Sequence, residues 1–358
     1  MRAVLLTGHG GLDKLEYRTD VPVPVPGPGE VLIEVAACGM NNTDINTRTG
    51  WYAKSVTGPT GEGAEAGVDG SWGGGLTFPR IQGADPCGRI VDAGPDIDRS
   101  RIGERVLVDA WLRAPDGDLA GARYLGSEVD GGYAEYVVVP VGNAHLVRSD
   151  LADSDLASFP CSYATAEHML HRAAVREGQW VLVTGASGGV GGGLIQLARR
   201  RGARVVAVTS RSKMDSVLEI GAEVVVDRAD EDLAAAVLDA TGGVDVFADV
   251  VGGDLFPILL ETIRRGGHYT TAGAIGGPVV SLDLRTLYLN DLTFHGATVL
   301  PRVVFEKLIG YIERGEIRPI VAATFPLVEM AAAQEAFMAK RHVGSIVVEV
   351  AAQTPEIA

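Results

Sequence analysis

Apolar and polar positions follow two different rhythms along this chain, and the change falls near residue 155. Before it, "EVLIEVAACG" (30–39), "GRIVDAG" (88–94), "RVLVDAW" (105–111) and "GGYAEYVVVP" (131–140) are short apolar runs bounded by Gly, Pro and Asp. That is the pattern of strands joined by turns. "VPVPVPGPGE" (21–30) is an extended, proline-punctuated connection. After residue 155, continuous apolar runs alternate with helix-spaced segments. "WVLVTG" (180–185) reads as a strand covered on both faces. In "GVGGGLIQLARRRGA" (189–203), Val190, Leu194, Ile195 and Leu197 share a helical face, and the three arginines and Gly202 mark the helix C-terminus. The alternation continues as "RVVAVTS" strand, "SKMDSVLEIGA" helix, "EVVVDR" strand, "DEDLAAAVLDATGG" helix, "VDVFADVVGG" strand, "FPILLETIRRGG" helix and "HYTTAGAIGG" strand, with "LTFHGATVL" (292–300) one strand more. Strand and helix in turn predict an α/β domain built on a parallel sheet. The remainder predicts helix, extended segment, helix and strand, packing back onto the first part.

The predicted organisation is therefore a mainly β domain from residues 1–154 and 300–358, and a doubly wound Rossmann domain over 155–299. At 358 residues, two domains match the usual domain size. The segment 51–80 fits neither rhythm; it carries eight glycines together with Trp51, Tyr52, Trp72 and Phe78. A structureless stretch of that length reads either as a surface insertion or as a lid or substrate wall.

Composition narrows the function. A net charge of −15 argues against nucleic acid as a partner. No apolar run is long enough to span a membrane and the N-terminal apolar stretch is too short for a signal peptide, so a cytoplasmic location is expected. Cys38, Cys87 and Cys161 are widely spaced and form no C-x-x-C pair, which points to a reducing compartment and not to a structural zinc module. Cys38 and Cys87 read as small core residues. His168 and His171 have the i, i+3 spacing of a metal pair but no third ligand, and read as a partly exposed helix face; the other five histidines look isolated.

The chemistry begins at "VLVTGASGGVGGG". Gly185, Gly188 and Gly191, with Ser187, Gly189 and Val190 between them, follow a strand and open a helix. Glycines there let the backbone approach a pyrophosphate, and the helix start presents free N–H groups and a positive dipole end. The next strand ends in Ser210 where an NAD site carries a carboxylate; Arg211 and Lys213 follow. A hydroxyl and two cations suit a 2′-phosphate, so the cofactor is expected to be NADP(H).

At this point the chain resembles the medium-chain dehydrogenase/reductase superfamily of zinc alcohol dehydrogenases and zinc-free quinone oxidoreductases. The resemblance runs along the whole length, through "GPGEVLIEVAACG", "GADPCGRIVDAG", "GERVLVD", "GGYAEYVVVP", "SYATAEHML", "VLVTGASGGVG", "DVVGG" and "HVGSIVV". It implies a GroES-like catalytic domain beside the Rossmann domain. It places the three zinc-ligand slots at Asn41, Ala84 and Cys161, two of which hold no ligand, and the four-cysteine lobe falls near 109–131, where no cysteine occurs. Neither a catalytic nor a structural zinc is expected. Without a Lewis acid, hydride transfer suits acceptors that delocalise charge themselves, such as quinones and α,β-unsaturated carbonyls.

For that chemistry the resemblance assigns Asn41 and Thr43 to orienting the acceptor and Tyr52 to donating a proton. Asp44 is a further polar candidate, with a turn or strand-end role as its alternative; packing against the nicotinamide is the alternative for Tyr52. Thr165, Val251, Gly252, Gly273 and Ala274 are expected beside the cofactor. Ser345 stands where a lysine is common. The function implied is NADPH-dependent reduction of quinones, enones or related small conjugated carbonyls. The alternatives are an enoyl-thioester reductase, a zinc alcohol dehydrogenase with unusual ligands, and a non-catalytic NADPH-binding protein. A homodimer formed by edge strands near 292–300 is implied by the same resemblance.

Overall fold

The computed structural model describes residues 1–64, 70, 76–114, 119 and 121–350. Six parallel strands form one sheet in the spatial order Val224–Asp227, Arg204–Thr209, Trp180–Val183, Val244–Asp249, Ile263–Thr271 and Thr293–Gly296. Chain order therefore reverses between Trp180–Val183 and Val244–Asp249, the switch point where an open α/β sheet has its ligand crevice. The apolar runs of these strands divide by alternation. Val181, Val183, Val205, Ala207 and Val246 join the main core on one face. Leu182, Val206, Val208 and Phe247 join a second core on the other.

The second large sheet is mostly antiparallel and is centred on Glu30–Gly39. That strand pairs with Asp85–Ala93, with Tyr136–Pro140 and with the C-terminal strand Ser345–Glu349. Val321–Pro326 joins this sheet by running parallel to Ser345–Glu349. The helix Pro160–Arg172 packs against the helices Gly189–Arg200 and Arg302–Glu313 and against the strands Ile263–Thr271 and Thr293–Gly296.

Three local readings are corrected, and one segment that carried no predicted element gains one. "FPILLETIRRGG" is not one helix: the helix is Leu255–Leu260 and a strand starts at Ile263. The Thr262 hydroxyl donates to the Leu259 carbonyl at 2.7 Å and closes the helix, and the guanidinium of Arg264 donates to Asp245 on the neighbouring strand. "NNTDINTRTG" forms a helix, Asn42–Thr49, whose polar residues Asp44, Asn46, Thr47, Arg48 and Thr49 are buried. His168 is 3% exposed and sits within the core, not on an exposed face, while His171 is exposed. His268 and His295 are not isolated: Nδ1 of the first lies 3.0 Å from Nε2 of the second on adjacent strands.

Candidate active site

A cavity of about 550 Å³ opens between the two sheets at the switch point. One wall is the glycine turn. Gly185 has φ +60, which favours glycine, and Gly188 caps the helix Gly189–Arg200 without any side-chain hydrogen bond to the first turn. The helix thus presents uncapped N–H groups to the cavity, which suits an anionic pyrophosphate. Ser187, Gly189, Val190 and Gly191 line the same wall. A methyl group on Gly191 would lie 2.3 Å from the Gly185 carbonyl oxygen, so helix and turn meet only because that side chain is absent. From the opposite side, the backbone N–H of Gly344 donates to the Ser187 carbonyl at 2.9 Å. The residues present therefore fit a dinucleotide cofactor.

The strand ends complete this half. Val251, Gly273 and Ala274 line the cavity, as does Thr165 from the helix Pro160–Arg172. Gly252 lies just outside, with φ +61; its N–H donates to Asp249, which also accepts from the Thr184 hydroxyl and the Tyr269 phenol. Ser210 and Lys213 line the cavity, and Arg211 does not: it is 88% exposed and its Nε donates to Asp227 at 3.0 Å. Lys213 donates to the carbonyls of Lys340 and His342 at 2.7 and 2.8 Å, tying the C-terminal segment to the cofactor side. Arg228 was missed by the sequence reading and lines the cavity beside Ser210. The signal existed: Thr209 and Asp227 are register partners on neighbouring parallel strands, so Ser210 and Arg228 emerge side by side.

The other half contains the helix Asn42–Thr49. Asn41, Thr43, Asn46, Trp51 and Tyr52 all face the cavity. Asp44 does not. Its carboxylate accepts from the Asn41 N–H at 2.8 Å and from the Tyr133 phenol at 2.9 Å, and burial pushes its pKa up to about 6. It anchors the helix start. The Tyr52 phenol is raised above its usual pKa chiefly by burial, opposed by the polar side chains of Thr43 and Asn46.

Two of the three ligand slots, Asn41 and Cys161, are joined by hydrogen bonds through Asp85. Asn41 Nδ2 donates to Asp85 Oδ2 at 2.9 Å, the backbone N–H of Cys161 donates to Asp85 Oδ1 at 3.0 Å, and Ser162 donates to Asn41 Oδ1 at 3.3 Å. Ala84 is buried and offers no ligand atom. The Tyr124 phenol donates to Cys161 Sγ at 3.3 Å, and burial pushes that thiol's pKa up. Asp85 is also pushed upward, by burial first, against the Asn41 hydrogen bond. Among the described residues no group of three or more His, Cys, Asp or Glu is arranged to hold a metal ion.

The segment after Tyr52 packs against the loop that follows the strand Ile263–Thr271. Trp51, Ala53 and Val56 form a small buried cluster against Tyr52, Ala64 and Ala274, and the N–H of Thr60 donates to the Ile275 carbonyl at 3.1 Å. Trp51, Tyr52 and Thr60 line the cavity from this stretch. Trp72 lies outside the described residues.

A parallel sheet with a glycine turn at its switch point, facing a polar pocket on a second domain, defines a nicotinamide-dependent oxidoreductase of the two-domain dehydrogenase type. Known proteins agree. Residues 27–149 match the alcohol dehydrogenase GroES-like domain and residues 189–314 the zinc-binding dehydrogenase family. The chain is 30% identical to acryloyl-coenzyme A reductase of Metallosphaera sedula, covering 97% of this chain and 99% of that one. It is 27% identical to quinone oxidoreductase of Mus musculus over 94% and 93% of the two chains. A crystal structure from Sinorhizobium meliloti 1021, provisionally described as an alcohol dehydrogenase, is 52% identical with a TM-score of 0.90, covering 98% of this chain and 96% of that one. The chain belongs to the medium-chain dehydrogenase/reductase superfamily. Among the described residues no helix is long and apolar enough to cross a membrane.

Proposed function

We propose that this protein is an NADPH-dependent, zinc-independent reductase of quinones, enones or related conjugated carbonyls. The observation that carries the reading is the Asn41–Asp85–Cys161 hydrogen-bond network. It ties the Asn41 amide and the backbone N–H of Cys161 to the neighbouring carboxylate, while the one ligand-slot thiol accepts from the Tyr124 phenol and the third slot is an alanine. NADPH, when bound, supplies the hydride. The uncapped helix start and the turn from Gly185 to Gly191 would hold its pyrophosphate. Ser210 and Arg228 would meet its 2′-phosphate, with Lys213 held beside them by its two carbonyls. Thr43 and the second N–H of Asn41 orient the acceptor oxygen, and the Tyr52 phenol returns the proton. A charge-delocalising acceptor needs no more than such donors.

The test is a panel of small quinones, enones and simple alcohols with both nicotinamide cofactors, on the protein as purified and after chelation. Reduction of the conjugated acceptors with NADPH, unaffected by chelation, is expected. Alcohol oxidation abolished by chelation would overturn the reading. On the cofactor side, Arg228→Ala with Ser210→Asp is expected to weaken NADPH at least 10-fold more than NADH, from the loss of charge-assisted bonds to phosphate; equal losses would remove the phosphate assignment.

The 30% identity to an acryloyl-coenzyme A reductase favours a second reading, an enoyl-thioester reductase. Turnover of trans-2-enoyl thioesters far above that of small quinones would select it. The edge strand Thr293–Gly296, with Phe294 exposed and with Leu284, Tyr288 and Leu289 exposed on the preceding helix, supports a homodimer through this sheet edge. A monomeric mass by sedimentation at micromolar concentration would refute that.

A further inference from the structure

We infer that Asp85 is a positioning residue that fixes which end of the Asn41 amide faces the acceptor. This rests on the reading of Asn41 as a donor to the acceptor oxygen. Asp85 opens the strand Asp85–Ala93, in register with Gly39. The missing side chain of Gly39 makes room for the carboxylate: a methyl group there would lie 3.0 Å from Asp85 Oδ2. Asp85 is 1% exposed, and its two oxygens serve different partners. Oδ1 accepts at 3.0 Å from the N–H of Cys161, in the first turn of the helix Pro160–Arg172, whose cap residue Phe159 supplies no side-chain bond. That is the positive end of the helix dipole, where a carboxylate is favoured. Oδ2 accepts from Asn41 Nδ2 at 2.9 Å, and Asn41 Oδ1 accepts from the Ser162 hydroxyl at 3.3 Å.

The two partners of the amide are not equivalent. A carboxylate only accepts, so it holds the Nδ2 end and repels the Oδ1 end. A hydroxyl donates or accepts, so Ser162 follows whichever end it meets. Asp85 therefore sets the orientation and Ser162 completes it. With one N–H on Asp85 and the oxygen on Ser162, the remaining Asn41 N–H is the group left for an acceptor carbonyl in the cavity that Asn41 and Ser162 both line. Charge that develops on that oxygen meets a donor already aimed. Asp85→Asn inverts the arrangement. The Cys161 N–H needs an acceptor, so the new amide keeps its oxygen there and turns its NH2 toward Asn41. Neither NH2 group can accept, so the Asn41 amide turns over and offers its carbonyl to the cavity.

One measurement reads the amide and a second reads the pocket. Selective isotope labelling of asparagine side chains lets NMR follow the Asn41 amide, assigned by its loss in Asn41→Ala. In the NADPH-bound wild type one of its two protons is expected downfield, drawn there by the carboxylate, and in Asp85→Asn that shift is expected to vanish. A wild-type amide without the downfield proton overturns the inference whether or not Asp85→Asn folds. In the pocket, cyclohexanone, which lacks the conjugation needed for reduction, is compared with cyclohexanol as an inhibitor of enone reduction. The ketone oxygen only accepts, whereas the alcohol both donates and accepts. Asp85→Asn is expected to weaken the ketone about 10-fold and to leave the alcohol and NADPH within about twofold. An equal loss for both inhibitors means a general disturbance of the pocket and overturns the inference, as does no loss. If Asn41→Ala leaves ketone inhibition unchanged while the downfield proton vanishes in Asp85→Asn, the reading of Asn41 fails and the orienting role of Asp85 stands.

Discussion

Tyr52→Phe is expected to lower kcat about 100-fold for an enone acceptor while leaving NADPH affinity within about twofold. The argument begins with the phenol's surroundings. Burial raises its pKa above the ordinary value, so it is fully protonated at neutral pH and can only donate. Trp51 packs edge to face against its ring, which holds the phenol at the cavity wall beside Thr43 and Asn46. A positioned general acid contributes about 100- to 10,000-fold. The lower end applies here because water reaching the open cavity offers an alternative proton source. The ring remains in phenylalanine, which preserves the Trp51 contact and the buried cluster beneath it. Single-turnover NADPH oxidation at saturating acceptor, with NADPH binding followed by fluorescence, separates proton donation from packing. Equal rates in the two proteins would mean another group supplies the proton. Weaker NADPH binding with unchanged kcat would mean Tyr52 packs against the nicotinamide instead.

The cofactor half of this site was more legible in the sequence than the acceptor half, and the reason is the range of the interactions. "WVLVTG", "RVVAVTS" and "VDVFADV" are apolar on both faces because helices cover both sides of the sheet, a local pattern that survives in one dimension. The helix Asn42–Thr49 carries no such pattern. Its buried face is polar, and its stability comes from far along the chain: Arg48 donates to Gln334 and to the Gly10 carbonyl, and Gln82 donates to the Asp44 carbonyl. A buried guanidinium satisfied by residues so distant leaves no periodic trace. Asp85 shows the same limit. The triplet Gly83-Ala84-Asp85 reads as a metal site lacking a histidine, but that the carboxylate binds Asn41 and the Cys161 N–H depends on three segments meeting in space. Arg211 and Lys213 were read from their order after the strand. Only the fold shows that one pairs with Asp227 and the other with two carbonyls, while Arg228 faces the cavity.

Gly191→Ala is expected to weaken NADPH and NADH alike, by at least about 100-fold, whereas Gly192→Ala one position on is expected to bind both normally. The contrast isolates the glycine turn from helix propensity. Both positions lie in the helix Gly189–Arg200, where alanine is intrinsically better than glycine by about 1 kcal/mol. At Gly192 the new methyl would meet the Ile320 side-chain terminus at 3.2 Å, a flexible neighbour that yields. At Gly191 it would meet the Gly185 carbonyl oxygen at 2.3 Å and the Ala186 Cα at 2.6 Å, and backbone atoms of a turn already at φ +60 have nowhere to move. Either the helix start retreats from the turn or the turn flattens, and in both cases the N–H groups that face the pyrophosphate lose their common centre. Because the pyrophosphate is common to NADH and NADPH, the loss falls equally on both, unlike the loss at Ser210 and Arg228. Calorimetric binding of each cofactor to the two variants, with thermal melts to verify folding, decides the matter. Wild-type affinity in Gly191→Ala would remove the turn from cofactor binding, and a large loss in Gly192→Ala would assign the effect to the helix as a whole.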